Sequence, residues 1–584
     1  MNHGLKDKHR QAIIDILAAN SRVKRVTLFG SRAMGTFTTT SDVDLALYGD
    51  ELTLTDQAKL AAAIDDLPMA QRVDLLIHKS IDNGNLKEHI KKHGVEWFRQ
   101  AGGRSANSQL TEYGTIKDDY SRDRLIDLCI EKIGVQTGPF GSQLHNKDYV
   151  KVGTPIITVE HLGNNRILHQ KTPCVSDQDK ERLSKYHLQT GDIVFSRVGS
   201  VDRRALVRDS ENGWLFSGRC LRVRVDKEKI DPTYLSYFFG LENFRQYIRS
   251  IAVGATMPSI NTKILSNVPI YYPSLGEQCK IVKVLCSLDD KIELNRQINQ
   301  TLEQIAQAIF KSWFVDFEPV KAKIAAQENG LDPERAAMCA ISGKSDAELN
   351  HLPADQLSQL ATTAALFPDG LVDSKLGMIP KGWEWKSLNE IVELNPKRVL
   401  KKGTIAPYLD MKNMPTQGHL AETWWPREMG SGTKFINGDT LMARITPCLE
   451  NGKTAFVDFL NEDEVGWGST EYIIMRAKVP LPIEYTYMLA RDNIFRSFAI
   501  QNMTGTSGRQ RVNVGSLENY QLAVADEENI YEIFSIMVKK LMTQIKCNGD
   551  QNKTLAQLRD TLLPKLLSGE ISVAETHDKI EDAV

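Results

Sequence analysis

Apolar residues between positions 281 and 313 recur in alternating steps of four and three. A repeat of 3.5 residues is typical of a helix that packs along one seam against a partner helix. In the middle of this seam, however, Asn295 and Asn299 take apolar places. Taken alone, the pattern fits an ordinary core helix of a globular domain better than a coiled coil.

A second copy of the pattern reverses that preference. Residues 281–310 align without a gap on residues 534–563. The identities pair Leu288, Ile292, Asn295, Asn299, Thr301, Leu302 and Gln304 with Leu541, Ile545, Asn548, Asn552, Thr554, Leu555 and Gln557. A buried Asn at a seam lowers stability but fixes register and partner, so the two copies predict two long helices that pack on each other.

The segments that precede the two helices also match. GDIVFSRV at 191–198 aligns with GDTLMARI at 438–445, and the loop GATMPSIN (254–261) pairs with GTSGRQRVN (505–513). Short apolar runs bounded by Gly, Pro and Asn predict that each segment is an α+β domain. The chain therefore holds two copies of a unit made of a domain and a long helix.

The predicted fold class is multidomain α+β with an internal duplication and an α/β domain at the N-terminus. The predicted order is an N-terminal domain (1–100), a linker (101–120), a first α+β domain (121–275), a long helix (276–324), a helical connector (325–378), a second α+β domain (379–525), a second long helix (526–575) and a tail (576–584).

The first hundred residues carry three apolar strand patterns: VTLFG (26–30), a run around Asp42-Val-Asp44, and RVDLLIH (72–78). Because side chains alternate across a strand, Asp42 and Asp44 project to one face, and Asp74 on an adjacent strand can add a third carboxylate. Carboxylates grouped in this way suit a pair of Mg²⁺ ions, although an isolated DxD is more often an ordinary acidic strand surface. Gly30 allows close approach of a phosphate, and Ser31 can donate a hydrogen bond to it.

Composition excludes several classes of protein. Hydrophobic residues at 41% and charged residues at 25% are ordinary for a folded chain. The longest apolar run, 264–272, is far shorter than the ~20 residues that span a bilayer, and the polar N-terminus lacks a secretory pattern, so we expect a cytoplasmic protein without membrane contact. Eight cysteines without a CxxC argue against a zinc ribbon, and a net charge of −2 can still hide local basic patches.

The strand, GSRAMG (30–35) and the aspartates resemble the nucleotidyltransferase superfamily, in particular its minimal members, over roughly residues 8 to 100. The resemblance implies Mg²⁺-assisted transfer of a nucleotidyl group from a nucleoside triphosphate. Asp42, Asp44 and Asp74 would then be the catalytic metal ligands, and Gly30, Ser31 and Arg32 would bind the nucleotide. Met34 stands where the family motif has a second Arg, and many such domains act as antitoxins beside a partner.

From about residue 121 onward, the chain resembles the specificity subunit of type I restriction-modification systems. The motifs PSLGEQ (273–278), FKSWFVDFEPVKAK (310–323), LGMIPKGWE (376–384) and LLPKLLSGEI (562–571) fall in the family's order. The resemblance implies that each α+β domain is a target recognition domain that reads one half of a split double-stranded DNA site. It also implies that the long helices are antiparallel and bind two copies of the methyltransferase subunit, in a complex with a restriction subunit.

Basic residues in both recognition domains are candidate DNA contacts, because phosphate contacts supply affinity and Arg can read guanine. Arg197 and Arg444 stand out, since each follows a GD turn and an apolar strand at matching places. The predicted DNA-binding set is Arg197, Arg203 and Arg204 in the first domain and Lys397, Arg398, Arg444, Arg509 and Arg511 in the second. Any single arginine among them is more often a solvated or salt-bridged surface residue.

Two other functions remain open at this point. The N-terminal domain could be a Mg²⁺-dependent nucleotidyltransferase, or an antitoxin-like partner, that the body addresses to DNA. The body could instead be a scaffold without DNA specificity. His89 with His93, Gly452-Lys453-Thr454 and Gly343-Lys344-Ser345 resemble parts of metal or phosphate sites but lack the further ligand or leading Gly that each requires. Neither a methyltransferase loop nor a helicase or nuclease set is found, so we expect the body not to modify or cut DNA alone.

Overall fold

The computed structural model of this protein describes residues 5 to 576, apart from positions 6, 21, 39–40, 50–51, 66, 68, 70, 82, 100–107, 132, 255 and 507. The chain divides into two units, one of residues 1–279 with 567–570 and one of residues 280–566 with the segment from 571. In this described part of the chain, no helix is long and apolar enough to cross a membrane.

The N-terminal domain is a four-stranded sheet with apolar clusters on both faces. Strand order is β3-β2-β1-β4, with β2 and β3 parallel and the other pairs antiparallel. Its elements are α1 (Asp7–Ala18), β1 (Arg25–Phe29), α2 (Gly30–Met34), β2 (Val43–Tyr48), α3 (Leu54–Asp65), β3 (Val73–Ile77), α4 (Gly84–His93) and β4 (Val95–Arg99).

Part of the predicted linker 101–120 is folded. It forms a hairpin of β5 (Ser108–Thr111) and β6 (Gly114–Lys117). Tyr113 at the hairpin turn is buried, packs against the rings of Phe238 and Tyr271 at 5.4 and 6.0 Å, and donates a hydrogen bond to the carbonyl of Pro269 at 2.8 Å. Tyr113 therefore anchors the hairpin in the first recognition domain. The hydrophobic pattern of the sequence did not predict this anchor, because a single aromatic residue shows no periodicity.

The first recognition domain contains two four-stranded sheets, ordered β14-β10-β11-β9 and β13-β12-β15-β8, and a two-stranded ladder of β7 with β16. Its elements are β7 (Ser121–Arg124), β8 (Val135–Thr137), β9 (Tyr149–Val150), β10 (Thr154–Ile157), β11 (Cys174–Val175), α5 (Asp177–Arg182), β12 (Ile193–Ser196), β13 (Arg204–Leu206), β14 (Leu215–Phe216), β15 (Cys220–Val223), α6 (Pro232–Phe238), α7 (Glu242–Ile251), α8 (Thr262–Ser266) and β16 (Pro269–Tyr272).

The first long helix, α9 (Leu275–Phe314), ends ten residues earlier than the predicted boundary at 324. Phe317 takes a left-handed conformation (φ 55°), and a new helix follows with Pro319 in its first turn. Proline lacks an N–H and is favoured in the first turn of a helix, the place that Pro319 takes in the new helix. The connector consists of α10 (Glu318–Glu328), α11 (Pro333–Ser342), α12 (Asp346–Leu349) and α13 (Ala354–Ala365).

The second recognition domain repeats the architecture of the first. Its elements are β17 (Leu371–Val372), β18 (Ile379–Pro380), β19 (Trp383–Ser387), α14 (Leu388–Ile391), β20 (Val392–Leu394), β21 (Ile405–Leu409), β22 (Trp425–Glu428), β23 (Thr433–Phe435), β24 (Thr440–Ala443), β25 (Thr454–Phe456), β26 (Gly466–Gly468), β27 (Tyr472–Ala477), α15 (Ile483–Arg491), α16 (Asn493–Gln501), β28 (Met503–Thr504), β29 (Arg511–Val512), α17 (Val514–Glu518) and β30 (Gln521–Ala525). The second long helix, α18 (Glu528–Ser568), follows.

Strand order shows that the two recognition domains share most of one topology. The sheet β13-β12-β15-β8 of the first corresponds strand by strand to β25-β24-β27-β20 of the second. In the other sheet, β10 pairs β14 in parallel and β11 antiparallel, as β21 pairs β26 and β22, but the fourth strand differs, since β9 pairs β11 whereas β23 pairs β26. The ladder of β7 with β16 likewise corresponds to β19 with β30. The predicted duplication is therefore present in the fold as well as in the sequence.

The long helices pack antiparallel, and polar pairs occupy the middle of their seam. Near one end of the seam, Phe310 packs against Phe534 with ring centroids 6.2 Å apart. Asn295 Nδ2 donates to Asn552 Oδ1 at 3.0 Å, and Asn548 Nδ2 donates to Asn299 Oδ1 at 2.8 Å.

The sequence alignment matches Asn295 with Asn548 and Asn299 with Asn552. Each of the two hydrogen bonds is therefore the counterpart of the other, so the helix pair has a local two-fold symmetry about its polar centre. Farther along the seam, Arg559 Nη1 donates to Asp289 Oδ1 at 2.7 Å.

We expect Asn295→Leu to lower the free energy of unfolding by ~1–3 kcal/mol, because Gln551 and Asn552 would lose their buried donor. The double variant Asn295→Leu with Asn552→Leu should recover much of that loss, since an apolar pair leaves fewer unsatisfied groups. Urea unfolding measures both. Gln300→Leu on the exposed face of α9 is the matched control and should change stability by less than ~0.5 kcal/mol. An Asn295→Leu protein as stable as this control would contradict the role of the polar seam.

Candidate nucleotide site and nucleic-acid interface

The aspartates of the N-terminal domain lie where two neighbouring strands place them side by side. Asp44 on β2 is paired in register with Asp74 on the parallel strand β3 and with Phe29 at the end of β1. Asp42 precedes β2 and is exposed, whereas Asp44 is partly buried. Among the described residues, no three His, Cys, Asp or Glu side chains already surround one point closely enough to hold a metal. The residues for a carboxylate site are thus neighbours, but their side chains are not arranged as a closed set of ligands.

Gly30 is required by the close approach of Asp44. It adopts a left-handed backbone (φ +71°), and a Cβ added there would lie 2.3 Å from Asp44 Oδ2. The carboxylate therefore lies against the backbone of the glycine that begins GSRAMG. Burial raises the pKa of Asp44, and Asp74 and Asp42 raise it further, while Arg32 opposes them. A cation at this point would relieve that repulsion.

Arg32 is positioned differently from the prediction that it binds a nucleotide. Its side chain is buried, with Nε donating to the carbonyls of Ser41 and Asp42 at 3.0 and 3.1 Å. Burial lowers the pKa of Arg32 below its ordinary value, although Asp42 and Asp44 oppose that shift. Arg32 thus fixes the approach to β2 and the place of Asp42, and its role as a nucleotide ligand stays a prediction. Asp74 also has a cationic neighbour, since Arg72 Nε lies 3.2 Å from Asp74 Oδ1.

Both recognition domains contain the same buried ion pair at the GD turn. In the first, Arg224 contacts Asp192 at 2.7 Å; in the second, Arg476 contacts Asp439 at 3.0 Å. Each aspartate also accepts a hydrogen bond from a backbone N–H of its own turn. The repeated GD is visible in the sequence, but the ion pair of its aspartate was not predicted. The repetition itself was the signal that could have pointed to a structural role for this aspartate.

Several arginines of the predicted DNA-binding set instead support the fold. Arg204 is buried and donates to the carbonyl of Ser236 at 3.0 Å, and Arg398 pairs with the buried Asp439 at 3.0 Å. Arg203 donates to the carbonyl of Leu162, and Arg511 is held by Glu471 at 2.8 Å. These assignments stay predictions, but Arg204 is buried in an internal contact, whereas Arg398 is half-buried.

Arg197 and Arg444 occupy equivalent half-buried positions beside the paired loops. The carbonyl of Arg197 accepts from the N–H of Ile260, and that of Arg444 accepts from the N–H of Val512. Bridges between Val198 and Ser259 and between Ile445 and Arg511 hold each loop on the same strand. The two loops thus lie at one matching place in the two domains.

The candidate interface around this place differs between the domains. Lys397 and Arg509 are exposed in the second domain, and Arg509 lies on its paired loop. The corresponding loop of the first domain contains no Arg and presents the exposed Met257. Because the chemistry at the matching positions differs, the two domains cannot read the same bases in the same way.

Comparison with known proteins agrees with both parts of the molecule. Residues 132–304 match the family model of the type I restriction modification DNA specificity domain, and residues 11–101 match that of polymerase beta nucleotidyltransferases. These matches confirm both resemblances inferred from the motifs.

Similar proteins cover most of the chain. The HindI specificity subunit of a type I restriction enzyme from Haemophilus influenzae is 29% identical over 441 residues, 70% of this chain and 92% of that protein. The MjaIX specificity subunit from Methanocaldococcus jannaschii is 22% identical over 476 residues, 80% and 96% of the two chains. Among solved structures, the S subunit of a type I restriction-modification system from M. genitalium matches with a TM-score of 0.41 and 12% identity over 77% of this chain and 96% of that one.

We expect Asp439→Ala to destabilise the second recognition domain by about 3 kcal/mol, because Arg398 and Arg476 would lose the buried carboxylate that both contact. The free energy of unfolding in urea measures the effect. Glu462→Ala, an exposed acidic residue of the same domain, should stay within ~0.5 kcal/mol of the wild type. Equal effects of the two substitutions would show that the GD-turn ion pair contributes nothing.

Proposed function

We propose that this chain, which is similar to type I restriction enzyme specificity subunits over most of its length, is such a subunit and reads a two-part, asymmetric DNA site whose halves are held apart by its antiparallel helices. The observation that supports this proposal best is the pair of symmetric Asn contacts in the helix seam. A fixed register gives a fixed length of rod, and a rod of fixed length leaves a constant number of base pairs unread.

The two halves of the site are read by different side chains. Arg444 and Arg509 are the strongest candidates in the second domain, and Arg197 is the strongest in the first. Contacts to phosphates supply most of the affinity of such a surface, while a few side chains at base edges supply specificity. Arg204 is buried and Arg398 pairs with Asp439, so the residues at or near the paired loops are the stronger candidates.

Specificity subunits of this family bind DNA and assemble with other subunits. We propose two copies of the methyltransferase subunit for this chain, because the local two-fold symmetry of α9 and α18 presents matching surfaces twice. Identical partners bind most simply to surfaces related by such symmetry. A restriction subunit joins the complex through these partners.

We further propose that the N-terminal domain uses Mg²⁺ and a nucleoside triphosphate. Asp42, Asp44 and Asp74 would hold the metal, and Gly30 and Ser31 would lie beside the phosphates. The raised pKa of Asp44 supports this assignment, since a cluster of carboxylates that repel one another is a site that a divalent cation stabilises. The target of the transferred group would be reached through the DNA-bound body or through a partner.

The test of DNA reading is selection from random duplexes by the full chain, with sequencing of the bound pool. We expect a motif in two parts with a constant gap. Arg444→Ala and Arg509→Ala should weaken binding to one half-site or relax its sequence preference, and Arg197→Ala should do the same at the other half-site. Each lost base contact should cost ~1–3 kcal/mol of binding free energy. Lys344→Ala in the connector removes the same charge outside both domains and should leave the motif unchanged. A pool without sequence preference would favour a scaffold without DNA specificity.

The N-terminal proposal is tested by incubating the full chain with labelled ATP and Mg²⁺. We expect label transfer that Asp44→Asn reduces by roughly a hundredfold or more, because the metal loses a charged ligand. Asp65→Asn, on α3 of the same domain, is the control. If the wild-type chain transfers no label, the proposed nucleotidyltransferase activity of the N-terminal domain is wrong.

A further inference from the structure

The second recognition domain packs on both long helices through α15, where Tyr485 contacts Phe310 and Phe534, and also through one loop, residues 410–420. Leu420 of this loop lies against α18, where a Cβ added at Gly549 would come within 2.6 Å of Leu420 Cδ1. Nearby, Lys546 of α18 donates to the carbonyl of Asp458. A glycine inside a helix costs about 1 kcal/mol relative to alanine, and here it makes room for the loop.

Arg491 fixes the same loop from within the domain. Its guanidinium, on α15, donates to the carbonyls of Thr416 and Gly418 in the loop and of Gly452 and Thr454 beside it. Its Nε also donates to the hydroxyl of Tyr487 at 3.1 Å. These bonds leave the residue that follows Gly418, His419, little freedom to move.

His419 is fully buried between two carboxylates that come from different parts of the molecule. Its Nδ1 lies 3.8 Å from Glu303 Oε2 on α9, and its Nε2 lies 3.4 Å from Asp458 Oδ2 in the recognition domain. Tyr487 donates to the other oxygen of Glu303 at 2.6 Å, and the rings of Tyr487 and Phe456 stand edge-on to the imidazole.

The contacts of His419 depend on charge more than on hydrogen-bond geometry. Both ring nitrogens and Glu303 Oε2 are buried without a well-aligned hydrogen bond. Opposite charges in a buried site attract each other at 3.4 to 3.8 Å even when the atoms are not aligned for a hydrogen bond. With a neutral imidazole, the nearby cations that the contacts show would be Arg491, acting through Tyr487, and Lys546, bound to the Asp458 carbonyl.

Proton binding follows the same charge balance. Burial alone would lower the pKa of His419, but Asp458 and Glu303 outweigh it and raise that pKa above its ordinary value. Burial alone would raise the pKa of Glu303, but His419 and Tyr487 lower it overall. The site therefore favours an imidazolium between two carboxylates.

This arrangement belongs to the second half of the duplication alone. The residue of α18 that corresponds to Glu303 is Ala556, and the residue of α9 that corresponds to Gly549 is Arg296. The local two-fold symmetry of the helix pair therefore does not extend to the histidine or to the glycine beneath the loop.

We propose that His419 is a positioning residue for DNA reading, a proposal that rests on the proposed function. As an imidazolium between Glu303 of α9 and Asp458 of the domain, it fixes the second recognition domain on the helix pair and so sets the place of the second half-site. Loss of its proton loosens the domain on the helices without altering the loop that reads the bases.

The direction of the pH effect follows from the raised pKa of His419. A group that binds its proton more tightly in the docked state contributes its full stabilisation below the ordinary histidine pKa of about 6.5. That contribution is lost as the pH rises through the raised pKa of His419. Docking should therefore be firmest below pH ~6.5 and should weaken as the pH rises through the raised pKa of His419.

The first measurement is an NMR titration of the full chain labelled at histidine nitrogens, with the His419 signal assigned by its absence in His419→Gln. We expect this signal to remain that of an imidazolium beyond the pH at which a histidine peptide loses its proton. Glu303→Gln keeps an oxygen for Tyr487 but removes one negative charge, and should shift the titration to lower pH. A signal that titrates with the peptide would overturn the proposal.

The second measurement compares binding of a duplex with both half-sites and of a duplex with the second half-site alone, across pH. We expect affinity for the two-part duplex to fall on the order of tenfold, or ~1.4 kcal/mol, as His419 loses its proton. His419→Gln should bind weakly at every pH, with unchanged affinity for the single half-site. His161→Gln is the control, since this buried histidine of the first domain accepts from the N–H of Thr158 at 3.1 Å.

The two proposals fail differently. A wild-type chain that does not prefer the two-part duplex would refute the proposed function, while the NMR titration would still decide the charge of His419. A wild-type chain with that preference and a His419→Gln variant of equal affinity at all pH values would refute the positioning role alone.

Discussion

The seam between α9 and α18 contains two kinds of contact: apolar contacts that hold the helices together and polar contacts that fix their register. Apolar residues at its ends, such as Phe310 and Phe534, provide adhesion that is strong but tolerant of sliding by one repeat. The asparagine pairs at its centre provide less stability, but a slipped register would bury their amides without partners. Every distance that the helices define depends on this choice of register, and so does the spacing of a two-part DNA site.

The duplication explains which residues are shared and which differ. What supports the fold appears twice: the strand order, the GD turn, and the ion pairs of Asp192 with Arg224 and of Asp439 with Arg476. What faces the paired loops differs, with Arg509 in one domain and Met257 in the other. A repeated scaffold with unlike loops is a physical means of reading two unlike half-sites, because loops can vary without loss of the core.

The helix pair is symmetric at its centre, but its contacts with the second recognition domain are not. The Asn contacts obey a local two-fold symmetry, which suits two identical partners, whereas the contact of His419 with Glu303 breaks it. In the first half of the chain, the hairpin around Tyr113 is held on the first recognition domain by a buried aromatic anchor. The molecule thus combines a symmetric centre with domain attachments that are each built differently.

By itself the sequence determined the architecture, because periodicity and repetition are properties of the chain. The 3.5-residue period, the matched asparagines and the paired GD motifs predicted two helices that pack together and two similar domains, and the strand patterns placed Asp44 beside Asp74. The fold of residues 108–117 and the helix break at Phe317 were not predicted, since each depends on a single residue.

Only the tertiary structure decided which charged residues are available to a ligand. Arg32, Arg204 and Arg398 have the same local sequence character as a DNA or nucleotide contact, yet each is bound to carbonyls or a carboxylate inside the fold. Glu303 and His419 are more than a hundred residues apart and neither belongs to a motif. Burial, and contacts between charged residues that are far apart in the sequence, arise from tertiary packing. A local sequence pattern contains no information on either.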